Sequence, residues 1–120
     1  KAVINGMCRL DGDPYDPTAV KAAVSADGRL VYASRSPVPA AKDGHAAQWK
    51  QLGLYAFNRS ELMSYRSWAR GPVETAEDVE MLRFLEAGHT VRMVEVSPSQ
   101  AVDVPEHIAI VESLMSAVPA

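Results

Sequence analysis

The chain has little cysteine. Cys8 is the one such residue in 120, which excludes an internal disulfide and a metal site of paired cysteines. A reducing, cytoplasmic setting is the expectation that follows. Long apolar runs are also missing. None approaches the roughly 18–20 residues a membrane helix needs, and residues 1–8 lack the apolar core and cleavage site of a signal peptide. Excess positive charge is missing too. Twelve Lys and Arg against fifteen Asp and Glu leave a net charge of −3, with no global pull towards nucleic acid or an anionic membrane. His45, His89 and His107 are scattered, without metal-ligand spacing. There is no Walker loop, no GxGxxG, no repeat and no low-complexity stretch.

What is present is an ordinary globular composition, 48% hydrophobic and 22% charged, long enough for one core or part of a larger one. The first residue is Lys1 rather than Met, and the expectation is a piece of something longer. Ala2–Cys8 reads as a strand, with Gly6 suited to a bulge. Asp11–Pro17 is dense in turn formers. Val20–Ser25 and Arg29–Ser34 read as a hairpin around Ala26-Asp27-Gly28. Ser36–Gly44, with Pro37 and Pro39, reads as an extended exposed arm. Trp49–Phe57 is the most apolar strand, and Gly53 suggests close backbone approach.

Asn58 and Glu61 have capping-box spacing and open a short helix to about Trp68, ended by Gly71-Pro72. A second helix is expected from about Thr75 to Gly88, loosely capped by Thr75 and Asp78 and carrying Val79, Leu82 and Leu85 inward. Thr90–Val96 reads as a strand covered on both faces. Pro105 opens a last helix with Ile108, Val111, Leu114 and Met115 as its apolar stripe. Strands alternating with helices predict an α/β layer structure, and the early hairpin makes its sheet mixed.

Several residues invite a chemical reading beside a plainer one. Arg35 could offer its planar fork to a carboxylate or phosphate, or be a solvated surface residue. Gln51, Tyr55 and Phe57 share one strand face at period two, so Gln51 and Tyr55 could hydrogen-bond a polyol; the plainer reading is a tyrosine at the core edge. Glu74, Glu77 and Glu80 recur every three residues and lead to Arg83. That is most simply a solvated face supported by Arg83, although a carboxylate there could accept bonds from sugar hydroxyls. Asp103, between two valines and before a helix, could cap it or hold a hard divalent cation. Cys8 reads as a small buried residue.

The motifs also resemble a known family. Asp16-Pro17-Thr18-Ala19-Val20-Lys21, then Leu30–Pro39 with Ser34-Arg35-Ser36-Pro37 inside it, is similar to the "NPNxVK … LYxSRxxIP" segment of the 3-deoxy-manno-octulosonate (KDO) cytidylyltransferases, the CMP-KDO synthetases. Lys50–Phe57 resembles their "KHIGIYAY" strand. Glu74, Glu77, Glu80 and Arg83 match "LExxExxEQLR", and Ala101–Glu106 resembles "VDTPED". The blocks keep family order over nearly the whole chain, residues 1–120. The resemblance implies the C-terminal half of a nucleotide-diphospho-sugar transferase (Rossmann-like) fold, with a mixed β-sheet, flanking helices and a protruding dimerisation arm. It implies transfer of CMP from CTP to a 2-keto-3-deoxy sugar acid, with Mg²⁺ as cofactor and pyrophosphate as co-product.

Carried over by position, Arg35 would face the sugar acid's carboxylate. Gln51, Tyr55 and Glu80 would contact the sugar, and Asp103 would help hold Mg²⁺ with an aspartate from elsewhere. Lys21 matches a motif lysine to which the resemblance gives no role. No catalytic residue is assigned. Gln51 stands where the family commonly has histidine, Met81 where it has glutamine, and Val104 and His107 where it has threonine and aspartate. Nothing resembles the family's nucleotide-binding segment "ARxxSxRLPxKxL". The expected partners are therefore CTP, a sugar acid, and either a second copy or a complementing N-terminal half, with no nucleic acid and no membrane. A synthetase for another nonulosonic acid and a non-catalytic dimerisation or sugar-binding module are the alternatives.

Overall fold

The structure is a computed structural model and describes residues 3–44 and 48–97. His45, Asp103, His107 and the last expected helix lie outside the described residues. The elements are β1 (Val3–Arg9), β2 (Lys21–Val24), β3 (Leu30–Ser34), β4 (Trp49–Ala56), α1 (Arg59–Ser67), α2 (Pro72–Glu77), α3 (Leu82–Glu86) and β5 (Val91–Glu95). The five strands form one sheet in the order β3-β2-β4-β1-β5. β1 runs antiparallel to β4 and parallel to β5, so the sheet is mixed, as the hairpin predicted.

The hairpin turns where Asp27-Gly28 requires. Gly28 has φ +87°, the Gly28 N–H bonds Ser25 O at 3.0 Å, and Ser25 N–H bonds Arg29 O at 2.9 Å. Its tip then reaches the far side of the sheet: Met93 N–H donates to Gly28 O at 2.8 Å, and Arg92 Nη1 donates to Asp27 O at 2.6 Å.

The helix-bearing side holds the core. Val3 and Met7 from β1, Ala22, Leu30 and Ala33 from the hairpin, and Val91 and Met93 from β5 pack with Val79, Met81, Leu82 and Phe84. Phe84 is the centre of an aromatic group, with Tyr65 stacked at 5.0 Å, Trp68 edge-on at 5.8 Å and Phe57 at 6.3 Å. Such pairs add to the apolar burial that dominates the folding free energy. Trp49 and Trp68 are packing residues, and Cys8 is buried and free.

The helix start at Asn58 is as the sequence suggests: its side chain accepts from the Glu61 N–H at 2.8 Å while Glu61 accepts from the Asn58 N–H at 3.2 Å. Three expectations need correction. The second long helix is two short ones. α2 starts with Pro72 in its first turn and ends at Asp78, which is left-handed (φ 55°), and α3 begins only at Leu82. Asp78 therefore closes a helix where the periodicity of Val79, Leu82 and Leu85 suggested continuity. Secondly, Gly53 has open space where a Cβ would sit, and the close approach is at Gly6, whose Cβ would lie 3.3 Å from Leu54 Cδ2. Thirdly, β5, the outermost strand among the described residues, is buried at Val91 and Met93, with Arg92 and Val94 half-buried and Glu95 exposed.

Candidate functional site

β4 presents the candidate residues. Tyr55 lies opposite Asn5 and Gln51 opposite Met7. Directly paired residues point to the same face, so Gln51 and Tyr55 join Met7 on the core side, the face the alternation predicted. Tyr55 sits at the rim, 37% exposed. The Nε2 of Gln51 is buried and has no hydrogen-bond partner among the described residues. An unpaired buried donor is costly.

The connection between α2 and α3 brings Glu80 to the same rim. Glu80 Oε2 lies 3.5 Å from the Tyr65 hydroxyl. Burial first, and then the Glu80 charge, push the Tyr55 phenol above its ordinary pKa, and the same two causes lead for Tyr65. Both phenols are thus held protonated, as donors, beside an acceptor carboxylate. Two hydroxyls and a carboxylate around one rim are suited to a polyhydroxylated ligand.

Beneath Glu80 the acidic stripe is not the solvated face its spacing suggested. Glu74 is fully buried and binds Arg83 in two-point fashion, at 2.7 Å (Nε–Oε1) and 2.9 Å (Nη2–Oε2). Arg70 adds a contact at 3.3 Å. The Arg83 guanidinium lies 4.2 Å above the Tyr65 ring, so the pair fixes the tyrosine that faces Glu80. The break at Asp78 makes this possible, because it turns Arg83 back onto the preceding helix.

Glu77 joins the helical layer to the end of β3. It accepts from the Tyr32 hydroxyl at 2.8 Å and the Arg35 N–H at 3.0 Å. Burial would raise its carboxyl; hydrogen bonds from Ser34, Arg35 and Tyr32 outweigh that and hold it below the usual range.

Arg35 is neither a solvated residue nor a free fork. Its Nε donates to Glu77 O at 2.7 Å, Nη1 to Pro17 O at 2.9 Å and Nη2 to Asp78 O at 2.9 Å. A guanidinium carries five N–H groups, so one on each terminal nitrogen remains after these three bonds. Lys21 is fully buried, and its Nζ donates to Asp16 O (2.6 Å), Ala19 O (2.7 Å) and Arg35 O (2.6 Å). The motif lysine thus fastens the turn-rich loop to the strand that carries Arg35.

The structure therefore gathers Gln51, Tyr55 and Glu80 on the helix-bearing side of the sheet and sets Arg35 at the join of α2, the 13–19 loop and β3. Asp103 lies outside the described residues. Sequence reasoning missed Tyr65 and Asn5; a polar Asn5 inside the apolar run Ala2–Cys8 is a signal that could have found the latter. An open cleft of about 750 Å³ lies apart from these residues, lined by Arg9, Tyr15, Pro37, Gly44 and Gln48 among others. Among the described residues no group of three or more His, Cys, Asp or Glu could hold a metal ion, and no helix is long and apolar enough to cross a membrane.

No protein-family model matches the chain. Curated relatives do. It is 39% identical over 105 residues to the 3-deoxy-manno-octulosonate cytidylyltransferase of Solibacter usitatus, covering 85% of this chain and 42% of that protein. It is 43% identical over 79 residues to that of Leptospira biflexa, covering 66% and 32%, and 39% identical over 98 residues to that of Chlamydia abortus, covering 81% and 39%. Among solved structures, CMP:2-keto-3-deoxy-manno-octonic acid synthetase complexed with CTP superposes with a TM-score of 0.76 at 30% identity, over 96% of this chain and 49% of that one. The chain spans about half the length of that structure, and less of the curated relatives. With the α/β architecture and the motif order agreeing, the chain belongs to the 3-deoxy-manno-octulosonate cytidylyltransferase family.

Proposed function

We propose that these 120 residues are the sugar-acid side of a CMP-sugar synthetase, the C-terminal portion of a domain whose remainder binds CTP. The observation that carries this is the rim where the Glu80 carboxylate faces two protonated phenols, Tyr55 and Tyr65, on the sheet face that also bears Gln51. That donor and acceptor set fits a polyhydroxylated substrate and has no evident purpose in a bare core edge. Similarity to CMP-KDO synthetases supports the substrate class, a 2-keto-3-deoxy sugar acid.

In the reaction the anomeric hydroxyl oxygen bonds to the α-phosphorus of CTP. The bond from that phosphorus to the bridging oxygen breaks, pyrophosphate leaves with the electron pair, and the hydroxyl proton passes to solvent or a base outside these residues. The chain's part is to bind and orient. Glu80 accepts from sugar hydroxyls, Tyr55 and Gln51 donate to them, and the two remaining Arg35 N–H groups attract the carboxylate. Asp103 is proposed to hold Mg²⁺ with a carboxylate outside the chain. The described residues contain no group of three or more His, Cys, Asp or Glu that could hold the ion. The Ser36–Gly44 arm is proposed to serve a homodimer, and the protein to work in the cytoplasm.

The test is pyrophosphate release by the full-length gene product from CTP and 2-keto-3-deoxy sugar acids with Mg²⁺. Release dependent on both substrates is expected. Failure with every such acid, from a folded protein, overturns the reading.

A further inference from the structure

The two sugar-facing residues of β4 flank an irregularity in the sheet. Asn5 lies opposite Tyr55 and Met7 opposite Gln51. Gly6 alone therefore stands against Leu52, Gly53 and Leu54. Residues in such a bulge lose their ladder partners, and their carbonyls must find donors elsewhere or go unpaired. Asn5 supplies them. It is fully buried, and its Nδ2 donates to Leu52 O at 2.9 Å and to Leu54 O at 3.0 Å. Both hydrogens of one carboxamide are spent on the two carbonyls that bracket Gly53.

We propose that Asn5 is a positioning residue for the sugar acid, setting the separation and direction of Gln51 and Tyr55 through the bulge between them; this rests on the function proposed above. Three observations support it. The bonds span the bulge and end one residue short of each candidate residue, so a shift in either carbonyl is passed directly to Gln51 or Tyr55. The opposing position is Gly6, where a Cβ would press on Leu54 at 3.3–3.4 Å, so the bulge has one close-fitting seat. The third is a cost. Asn5 Oδ1 is buried without a partner among the described residues, and a buried unpaired acceptor is unfavourable. An apolar residue in a regular β1–β4 ladder would avoid that cost. The amide is explained by the irregular strand it maintains.

The test uses the full-length gene product with Asn5→Leu, and Asn5→Ser as the smaller change. Leu fills the space and donates nothing; Ser is too short to reach both carbonyls. Thermal melting is measured beside the KM for the sugar acid, the KM for CTP, and kcat. The expected result for Asn5→Leu is a sugar-acid KM raised roughly tenfold, with the CTP KM within about twofold of the parent. Asn5→Ser shifts the same way by a smaller factor and serves alone if Asn5→Leu does not fold. Equal changes in both KM values, or a lowered melting temperature with an unchanged sugar-acid KM, overturn the proposal while leaving the synthetase reading intact. A parent protein that turns over no sugar acid overturns the reading and this proposal together.

Discussion

Arg83 clasps both oxygens of the buried Glu74 carboxylate and lays its guanidinium 4.2 Å over the Tyr65 ring. Truncating one partner of a buried ion pair leaves the other charge uncompensated, which typically costs about 3–5 kcal/mol. Arg83 is partly exposed, so the lower end applies: Glu74→Leu should destabilise by roughly 3 kcal/mol. Glu74→Leu with Arg83→Leu should be less destabilising than the two single changes added, which a double-mutant cycle by urea denaturation measures.

Lys21→Met removes the donor shared by three backbone carbonyls. Leaving these part-buried acceptors without their donor should cost roughly 1–3 kcal/mol. The 13–19 loop should become sensitive to limited proteolysis before the rest of the chain. Lys21→Arg should rescue poorly, because a planar fork cannot converge on three carbonyls around one nitrogen.

For Arg35 the expectation has two parts. Arg35→Lys gives up two of the three bonds that join Pro17, Glu77 and Asp78 to β3, and should lower stability by about 1–2 kcal/mol. Under the proposed function it should also raise the sugar-acid KM more than the CTP KM. Equal rises would confine Arg35 to the framework.

Tyr55→Phe and Glu80→Gln should each raise the sugar-acid KM about tenfold or more while melting near the parent, since both groups are at the rim. Steady-state kinetics with each substrate varied in turn gives the comparison.

Glu77 gives a pH dependence of known sign. Its folded-state carboxyl titrates below its ordinary value, so its stabilisation is fully present above the unfolded pKa, near 4.3. It is lost as pH falls through the folded value. Denaturation midpoints should fall on acidification below about pH 4.5, and Glu77→Gln should fall less steeply there. Glu77 is half-buried, so solvent screening keeps the effect modest.

The parts of the fold written in local chemistry were legible. The Asp27-Gly28 turn, the Asn58/Glu61 cap and the strand at Trp49–Ala56 follow from positive φ, side-chain capping and apolar content. The face shared by Gln51 and Tyr55 was also legible, although an irregular stretch separates them. What was not legible depends on long-range partners. The stripe of Glu74, Glu77 and Glu80 has the spacing of a solvated helix face, and nothing local shows that Arg83 folds back to bury Glu74. Aspartate visits the left-handed region more readily than most residues, but the helical periodicity of Val79, Leu82 and Leu85 masks the stop at Asp78. Met81, which stands in the place of a family glutamine, proves to be a core residue, 2% exposed. For Arg35 the sequence offered a sugar acid's carboxylate or solvent as the partner of its side chain, and the three side-chain bonds it makes go to this chain's own carbonyls.

The contact of the hairpin tip with β5 has a consequence for association. Among the described residues β5 is the outermost strand of the sheet, and an uncovered outer strand is a template for a strand of another molecule. Here the Met93 N–H that would recruit such a strand is already bonded to Gly28 O, and Arg92 reaches over to Asp27 O. The three-residue loop Ala26-Asp27-Gly28, closed by Ser25 and Arg29, thus occupies at that point the backbone donor an added strand would need.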